Sequence, residues 1–237
     1  MKNIQVKNRL IDKRRQYSEL KKLLFSFGSD NIIDETVRFV VPENISLGNK
    51  CEVREHVLFD ARSDRKPAIT MGNKCRIKSF VSLMAYGGSI ELEDNILIGQ
   101  GTRIFGHNGI TIGNHSMIGG GVSVQSVKHL SYRSRTQFQY QGFLKMPPIV
   151  IASNVAIGDN SVILPGVTIE KDVHVGAGSV VTRSLESGYY YVGNPARRKK
   201  TLPDKPPKGE IFDLKITSNK VSQIKMLRKG EISQSRS

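Results

Sequence analysis

The one histidine set among aromatic and basic residues in a long irregular stretch is His129, in QSVKHLSYRSRTQFQYQGFLKMPP (residues 125–148). An imidazole on a loop can take up and return a proton near neutral pH, because its ordinary pKa of about 6.5 lies there. That is the work of a general base. His107 lies upstream and is a second polar candidate, whereas His56, His115 and His174 fall at turns or outward positions and read as solvated. The two cysteines, Cys51 and Cys75, are too few for a disulfide framework or a four-thiolate zinc site. A catalytic thiol needs exposure and a thiolate-favouring neighbour, and both cysteines fall where the surrounding pattern calls for a small inward side chain.

That pattern is what must position His129. The aliphatic series Ile151, Ile157, Ile163, Ile169, Val175 and Val181 runs at a spacing of six without a break. The same beat appears in Leu92, Ile98, Ile104, again in Ile112, Ile118, Val124, and in the pairs Leu47–Val53 and Met71–Ile77. A helix of 3.6 residues per turn would smear these side chains over all its faces. A strand keeps them on one face, but IGDN, IGNH, LGNK and MGNK place turn residues directly after the aliphatic one. The chain therefore bends every six residues and closes a three-sided coil about every eighteen.

Longer units agree: ISLGNKCEV, ITMGNKCRI, IELEDNILI, ITIGNHSMI, IVIASNVAI and VTIEKDVHV begin at 45, 69, 90, 110, 149 and 167. The widest gap, 110 to 149, holds the stretch with His129. Coils stacked at the parallel-strand spacing of ~4.8 Å would number about seven and form a prism with an aliphatic interior. An insertion that interrupts such a solenoid is where function concentrates.

The coils imply an all-β protein with one core, and composition is compatible with it. At 237 residues, 38% hydrophobic and 24% charged, the chain lies within the globular range. No apolar run approaches the ~20 residues that span a bilayer, and MKNIQVKNRLIDKRR lacks the apolar segment of a secretory signal. A cytoplasmic location is expected. The net charge of +15 sits at the ends: residues 1–24 carry 8 Lys/Arg against 2 Asp/Glu, and 197–237 carry 12 against 4, while 25–196 carry 16 against 15. A nucleic-acid protein builds its basic surface into the fold, so none is expected as partner. Basic ends suit peripheral contact with an anionic membrane surface.

The repeat resembles the left-handed parallel β-helix of the hexapeptide acyltransferase superfamily over residues of about 36 to 200. The handedness is taken from that resemblance. Two features are similar to its maltose and galactoside O-acetyltransferase branch. There, the catalytic histidine follows the hydrophobic residue of the coil entering the loop by eleven residues, the spacing from Ile118 to His129. The coils after the loop carry ILPGV, VGAGSVVT and GNPA, which together form that branch's signature. The resemblance implies an acetyl-CoA-dependent transferase acting on a sugar hydroxyl of a surface polysaccharide or related glycan, with His129 as general base. It also implies a homotrimer whose active sites lie between neighbouring prisms.

By the same matching, Asp159, Ala177, Thr182, Arg183, Arg197 and Lys200 would line the coenzyme groove. Arg183, Arg197 and Lys200 would meet phosphates, and Ala177 and Thr182 would act through backbone groups. His107 matches a position where the galactoside enzymes hold an acidic acceptor-binding residue, and Tyr132 could offer a ring to a sugar. Many relatives have Trp in place of Ala156, and this chain has no tryptophan. An aminosugar N-acetyltransferase could use the same base, although no G-x-G-x-x-G nucleotide segment precedes the coils. A metal-dependent hydratase on the same prism needs three converging histidines, and His115 falls elsewhere in its coil than His107 and His129. No metal is expected. Residues 1–35 are expected to form a helical cap, with Tyr17, Leu20, Leu24 and Phe25 of a helix over 13–25 covering the first coil. Residues 36–200 would form the β-helix and 201–237 a basic extension.

Overall fold

The computed structural model describes residues 13–133 and 135–203, together with the strands Ile211–Asp213 and Lys225–Leu227. The six-residue beat becomes strands of two or three residues separated by corners, and successive strands pass to three different sheets. The first sheet runs from Ser26–Phe27 to Thr168–Ile169 and the third from Arg38–Val40 to Val180–Val181, seven strands each. The second runs from Ile32–Ile33 to Arg197–Thr201 in nine. Pairing along each sheet is parallel, with Ile90 beside Ile110, Ile98 beside Ile118 and Ile104 beside Val124, so equivalent positions of successive coils stack. Only the last strand of the second sheet, Arg197–Thr201, turns back antiparallel on Tyr189–Val192. This is the all-β, seven-coil parallel β-helix expected, the left-handed form following from the resemblance.

Every member of the series from Ile151 to Val181 is buried, as are Leu47, Val53, Met71, Ile77, Leu92, Ile98, Ile104, Ile112, Ile118 and Val124. Removing such side chains from water contributes roughly 1.5–3 kcal/mol each, which makes the stacked aliphatics the main source of cohesion. Cys51 and Cys75 are inside as expected, their thiols each 3.0 Å from a carbonyl, those of Gly72 and Glu93. At the corner from the first to the second sheet, Lys50, Lys74, Asn95 and His115 take left-handed φ values of 56° to 61°. There, side-chain amides and carboxylates cap the preceding coil's backbone. The Asn49 and Asn73 N–H groups donate to Asn73 and Asp94, and the Asp94 N–H donates to Asn114, at 2.7–2.9 Å. Turns were expected at this place from the recurrence of Gly, Asn and Asp.

The start of the prism differs from expectation. Its first coil begins at Ser26 rather than near residue 36, because Phe27, Ile33 and Phe39 already keep the six-residue spacing and pair with Leu47, Val53 and Phe59. Helix α1 spans Lys13–Leu23, not 13–25. Leu24 is buried and Leu20 packs against the core, but Phe25 lies past the helix and is 56% exposed. Residues 1–12 and the side chain of Tyr17 lie outside the described residues. In the basic extension, Ile211–Asp213 pairs antiparallel with Lys225–Leu227; its other residues from 204 onward are also outside them. No helix among the described residues is long and apolar enough to cross a membrane.

Candidate active site

The regular winding is interrupted most extensively between Ser123–Gln125 of the third sheet and Ile149–Ile151 of the first. This is the insertion the sequence isolates, and it leaves from the corner between those two sheets. Ser126 anchors its base. Its fully buried hydroxyl donates to the Phe105 carbonyl at 2.8 Å and accepts from the Asn108 N–H at 3.0 Å. The chain then folds back on itself, so Lys128–His129 pairs antiparallel with Phe143–Leu144 and His129 faces Phe143. Gly142 supports the return at φ 83°, a region a β-carbon disfavours. Gln141, 8% exposed, braces the arch: its amide donates to the Tyr132 and Thr136 carbonyls at 3.0 Å and accepts from the Tyr132 N–H at 3.1 Å.

His129 is exposed on this hairpin, with its ring 4.5 Å from that of Phe143. His107, one coil earlier at the same corner, also meets Phe143, at 5.8 Å, and packs against Tyr86 at 5.1 Å. The structure therefore brings the two histidines to one cluster. Burial first, and then the nearby charge of His129, push the His107 imidazole below its ordinary range. Its Nδ1 is buried with no hydrogen-bond partner among the described residues. Two coils before His107, Asp60, 3% exposed, holds Arg62 through Nε and Nη2 at 2.9 and 2.6 Å. That guanidinium lies 5.5 Å from the Tyr86 ring centre, and its hydrogen bonds keep the Asp60 carboxyl below the usual carboxylate range against the opposing effect of burial. A cavity of about 430 Å³ opens beside His107 and Asn108 under the returning arm of the insertion.

Phe143, Tyr86, and the Asp60–Arg62 pair were not singled out from the sequence. Nothing in the residues gives the register that sets Phe143 opposite His129. Tyr132, expected near an acceptor, is 53% exposed and is held through its backbone by Gln141. His115 stands at the corner between the first and second sheets. Among the described residues no three His, Cys, Asp or Glu side chains gather.

The residues matched to a coenzyme groove divide among three places. Asp159, Ala177 and Arg197 lie at the corner between the second and third sheets. Asp159 accepts from the Gly120 N–H at 2.7 Å, and Arg197 opens the last strand opposite Val192. Thr182 and Arg183 are exposed at the corner from which the His129 insertion leaves. Lys200 pairs with Tyr190 at the far end of that strand, with Nζ 5.6 Å from the ring. An outward row on the second sheet, Leu97, Met117, Ala156, His174, Tyr190 and Lys200, connects these elements. A mostly apolar trough of about 280 Å³ runs beside it, lined by Leu97, Met117, Ala156, Gly158 and Asp159. Glycine is required there, because a β-carbon on Gly158 would stand 2.4 Å from the Ala177 nitrogen. The trough reaches Asp159, at the corner where Arg197 opens the last strand.

Residues 148–183 match the bacterial transferase hexapeptide (six repeats), and residues 89–126 match the hexapeptide repeat of succinyl-transferase. The galactoside O-acetyltransferase of Escherichia coli (strain K12) is 29% identical over 135 residues, covering 57% of this chain and 65% of that protein. Its namesake from Lactococcus lactis subsp. lactis is 29% identical over 119 residues, covering 50% and 53%. The chain thus spans less than two thirds of the length of either relative. Among solved structures, AntD, an N-acyltransferase from Bacillus cereus in complex with dTDP and 3-hydroxybutyryl-CoA, superposes with a TM-score of 0.55. The match covers 78% of this chain and 87% of that one at 23% identity, a likeness of fold.

Proposed function

We propose that this hexapeptide-repeat protein is an acetyl-CoA-dependent O-acetyltransferase acting on a sugar hydroxyl, in the formation or modification of a surface polysaccharide or related glycan. One observation carries the reading. The main interruption of the prism presents His129 on a braced hairpin, in ring contact with Phe143 and beside a cavity that His107 lines. The likeness to the galactoside O-acetyltransferases supports the hydroxyl as acceptor.

Acetyl-CoA, as acyl donor, supplies a thioester carbonyl. In this reading the apolar trough receives its pantetheine arm, Ala177 flanks that arm through its backbone and Arg197 meets a phosphate; Asp159, Thr182, Arg183 and Lys200 complete the proposed groove. His129 takes the proton of the acceptor hydroxyl as that oxygen attacks, and a backbone N–H receives the negative charge that develops on the carbonyl oxygen. The same imidazole then returns its proton to the departing sulfur. Direct transfer is the simplest route, because Cys51 and Cys75 are buried and cannot carry the acyl group.

His129 and the Asp159–Ala177–Arg197 cluster flank opposite edges of the third sheet, so one prism alone separates the base from much of the groove. A homotrimer would place the insertion of one prism against the trough of the next. Light scattering at micromolar concentration tests this, and a monomer would contradict it. Peripheral contact of the basic ends with anionic vesicles is testable by salt-dependent co-sedimentation.

Activity is tested by incubating the purified protein with acetyl-CoA and panels of free sugars, nucleotide sugars, oligosaccharides and aminosugars, reading released thiol. Transfer to hydroxyls supports the proposal. Transfer confined to amines would replace it with an aminosugar N-acetyltransferase, and no release with any acceptor would remove it.

A further inference from the structure

The cavity beside His107 has a charge character that the catalytic reading does not require. Its wall includes Arg65, Lys145, His107, Asn108, Gly88 and Pro147, and no carboxylate of the described residues lines it. Arg65 and Lys145 approach from different parts of the chain, one from the insertion between Asp60 and Ala68 and the other from the returning arm of the His129 insertion. Neither is engaged by an ion pair among the described residues. Asp64, beside Arg65 in sequence, is not part of the wall, and the buried Asp60 is matched by Arg62. Its volume of about 430 Å³ lies within the ordinary range for small-molecule sites, roughly 300–1,000 Å³.

Two unopposed cations facing one small cavity repel each other unless an anion lies between them. Polar groups below them add to the case. Asn108 is fixed by hydrogen bonds to Ser126, and His107 Nδ1 is buried and unpartnered. His107 also joins the cavity to the catalytic insertion, since its ring and that of His129 share Phe143. A ligand held in the cavity would therefore lie next to the proposed base. The outer face of the second sheet, with its apolar trough, lies elsewhere on the prism, so these cations are additional to Arg197 and Lys200.

We infer that this cavity is an anion subsite for the acceptor: Arg65 and Lys145 bind a phosphate or carboxylate borne by the sugar whose hydroxyl is presented to His129. This rests on the acetyltransferase reading and narrows its substrate to acidic sugars. Arg65 and Lys145 are specificity-determining residues, because they hold a part of the acceptor that does not react.

Equilibrium binding tests this without relying on turnover. Galactose, galactose 1-phosphate and galacturonic acid are titrated into the full-length protein at saturating CoA, beside the Arg65→Glu/Lys145→Glu double variant. Both positions are exposed, so the exchange should leave the fold intact, and an unchanged melting temperature checks this. Expected is that at least one anionic probe binds about tenfold or more tightly than galactose, the scale of one charge-assisted contact. Charge reversal should abolish that advantage and leave galactose unchanged. The preferred probe identifies the anion as phosphate or carboxylate. Equal binding of all three probes, no binding of either anion, or an advantage that survives charge reversal would overturn the inference. In a parallel titration without CoA, anion binding that disappears at saturating CoA would also do so, by assigning the cations to the donor. Failure of the acetyltransferase reading is separate: it would show as no thiol release with any acceptor, whatever the binding result.

Discussion

The imidazole of His129 and the ring of Phe143 face each other across a two-rung antiparallel ladder, 4.5 Å apart between centroids and tilted by 58°. His107 approaches the same ring from the preceding coil at 5.8 Å. Phe143 is 56% exposed, so its place is not explained by core burial. It fixes the direction in which the proposed base points. Phe143→Ala should lower kcat by about tenfold, as expected when a proton-transfer geometry loosens, with a small change in melting temperature. Phe143→Leu should recover part of the loss. A variant with unchanged kcat would show that His129 is oriented by something else.

His129→Ala should lower turnover by about 10² to 10⁴-fold, the usual contribution of a general base, while acetyl-CoA binding measured by titration persists. Near-normal turnover would remove His129 as the base. His129→Gln keeps a hydrogen-bonding side chain that cannot cycle a proton near neutral pH, and should be as slow as the alanine variant.

The coils were legible because they are a one-dimensional problem. An inward aliphatic every six residues fixes the turns, and stacking then fixes the register, as the pairing of Ile90 with Ile110 and Ile104 with Val124 shows. The first coil was missed although Phe27, Ile33 and Phe39 carry the beat, since two of the three are phenylalanines and FGSD stands where later coils have LGNK or MGNK. Within the site, the insertion and His129 were legible from the break in the repeat. Phe143, Arg65 and Lys145 were not, because their positions depend on how an irregular arm returns, for which no period exists. The coenzyme residues came from resemblance, and their division among three places on the prism is a property of the winding that a linear match does not contain.

Acid should destabilise the protein in two stages. Burial and His129 push the His107 imidazole down, so below about pH 6.5 the unfolded chain takes up a proton that the folded one resists, and stability falls as pH falls. The Asp60 carboxyl is also lowered, chiefly by its hydrogen bonds with Arg62; its contribution is present above the ordinary carboxylate range, about pH 4, and is lost below it. Melting temperatures from pH 8 to 3 should show both declines. His107→Asn should flatten the upper one and Asp60→Asn the lower. If both variants follow the parent curve throughout, neither group governs the acid limit.

Ile98 is fully buried in the second sheet, stacked between Ile77 and Ile118. Ile98→Ala should cost about 2–5 kcal/mol, the range for cavity-forming truncations in closed cores, and Ile98→Val about 0.5–1.5 kcal/mol. Denaturant unfolding measures both. A loss below 0.5 kcal/mol for the alanine variant, taken as roughly the level of a surface change, would mean that the coils collapse around the gap.

Arg197 and Lys200 were expected to act together on the coenzyme phosphates, but their strand sets them apart. Arg197 lies opposite Val192, at the corner shared with Asp159 and Ala177, and Lys200 lies opposite Tyr190 at the other end. Three residues of extended chain separate them by about 10 Å, and Lys200 Nζ is 5.6 Å from the Tyr190 ring centre. Arg197, at the corner that holds the trough residue Asp159, should carry the larger share. Arg197→Ala should raise the KM for acetyl-CoA by about tenfold, the scale of one charge-assisted contact, with a smaller rise for Lys200→Ala. Repeating both measurements with acetyl-dephospho-CoA, which lacks the ribose phosphate, locates the contact. If Arg197 meets that phosphate, its variant and the parent converge on the shortened donor. An equal loss with both donors would place Arg197 on the pyrophosphate instead, and a larger effect at Lys200 than at Arg197 would mean that the nucleotide end lies along Tyr190 rather than at the corner.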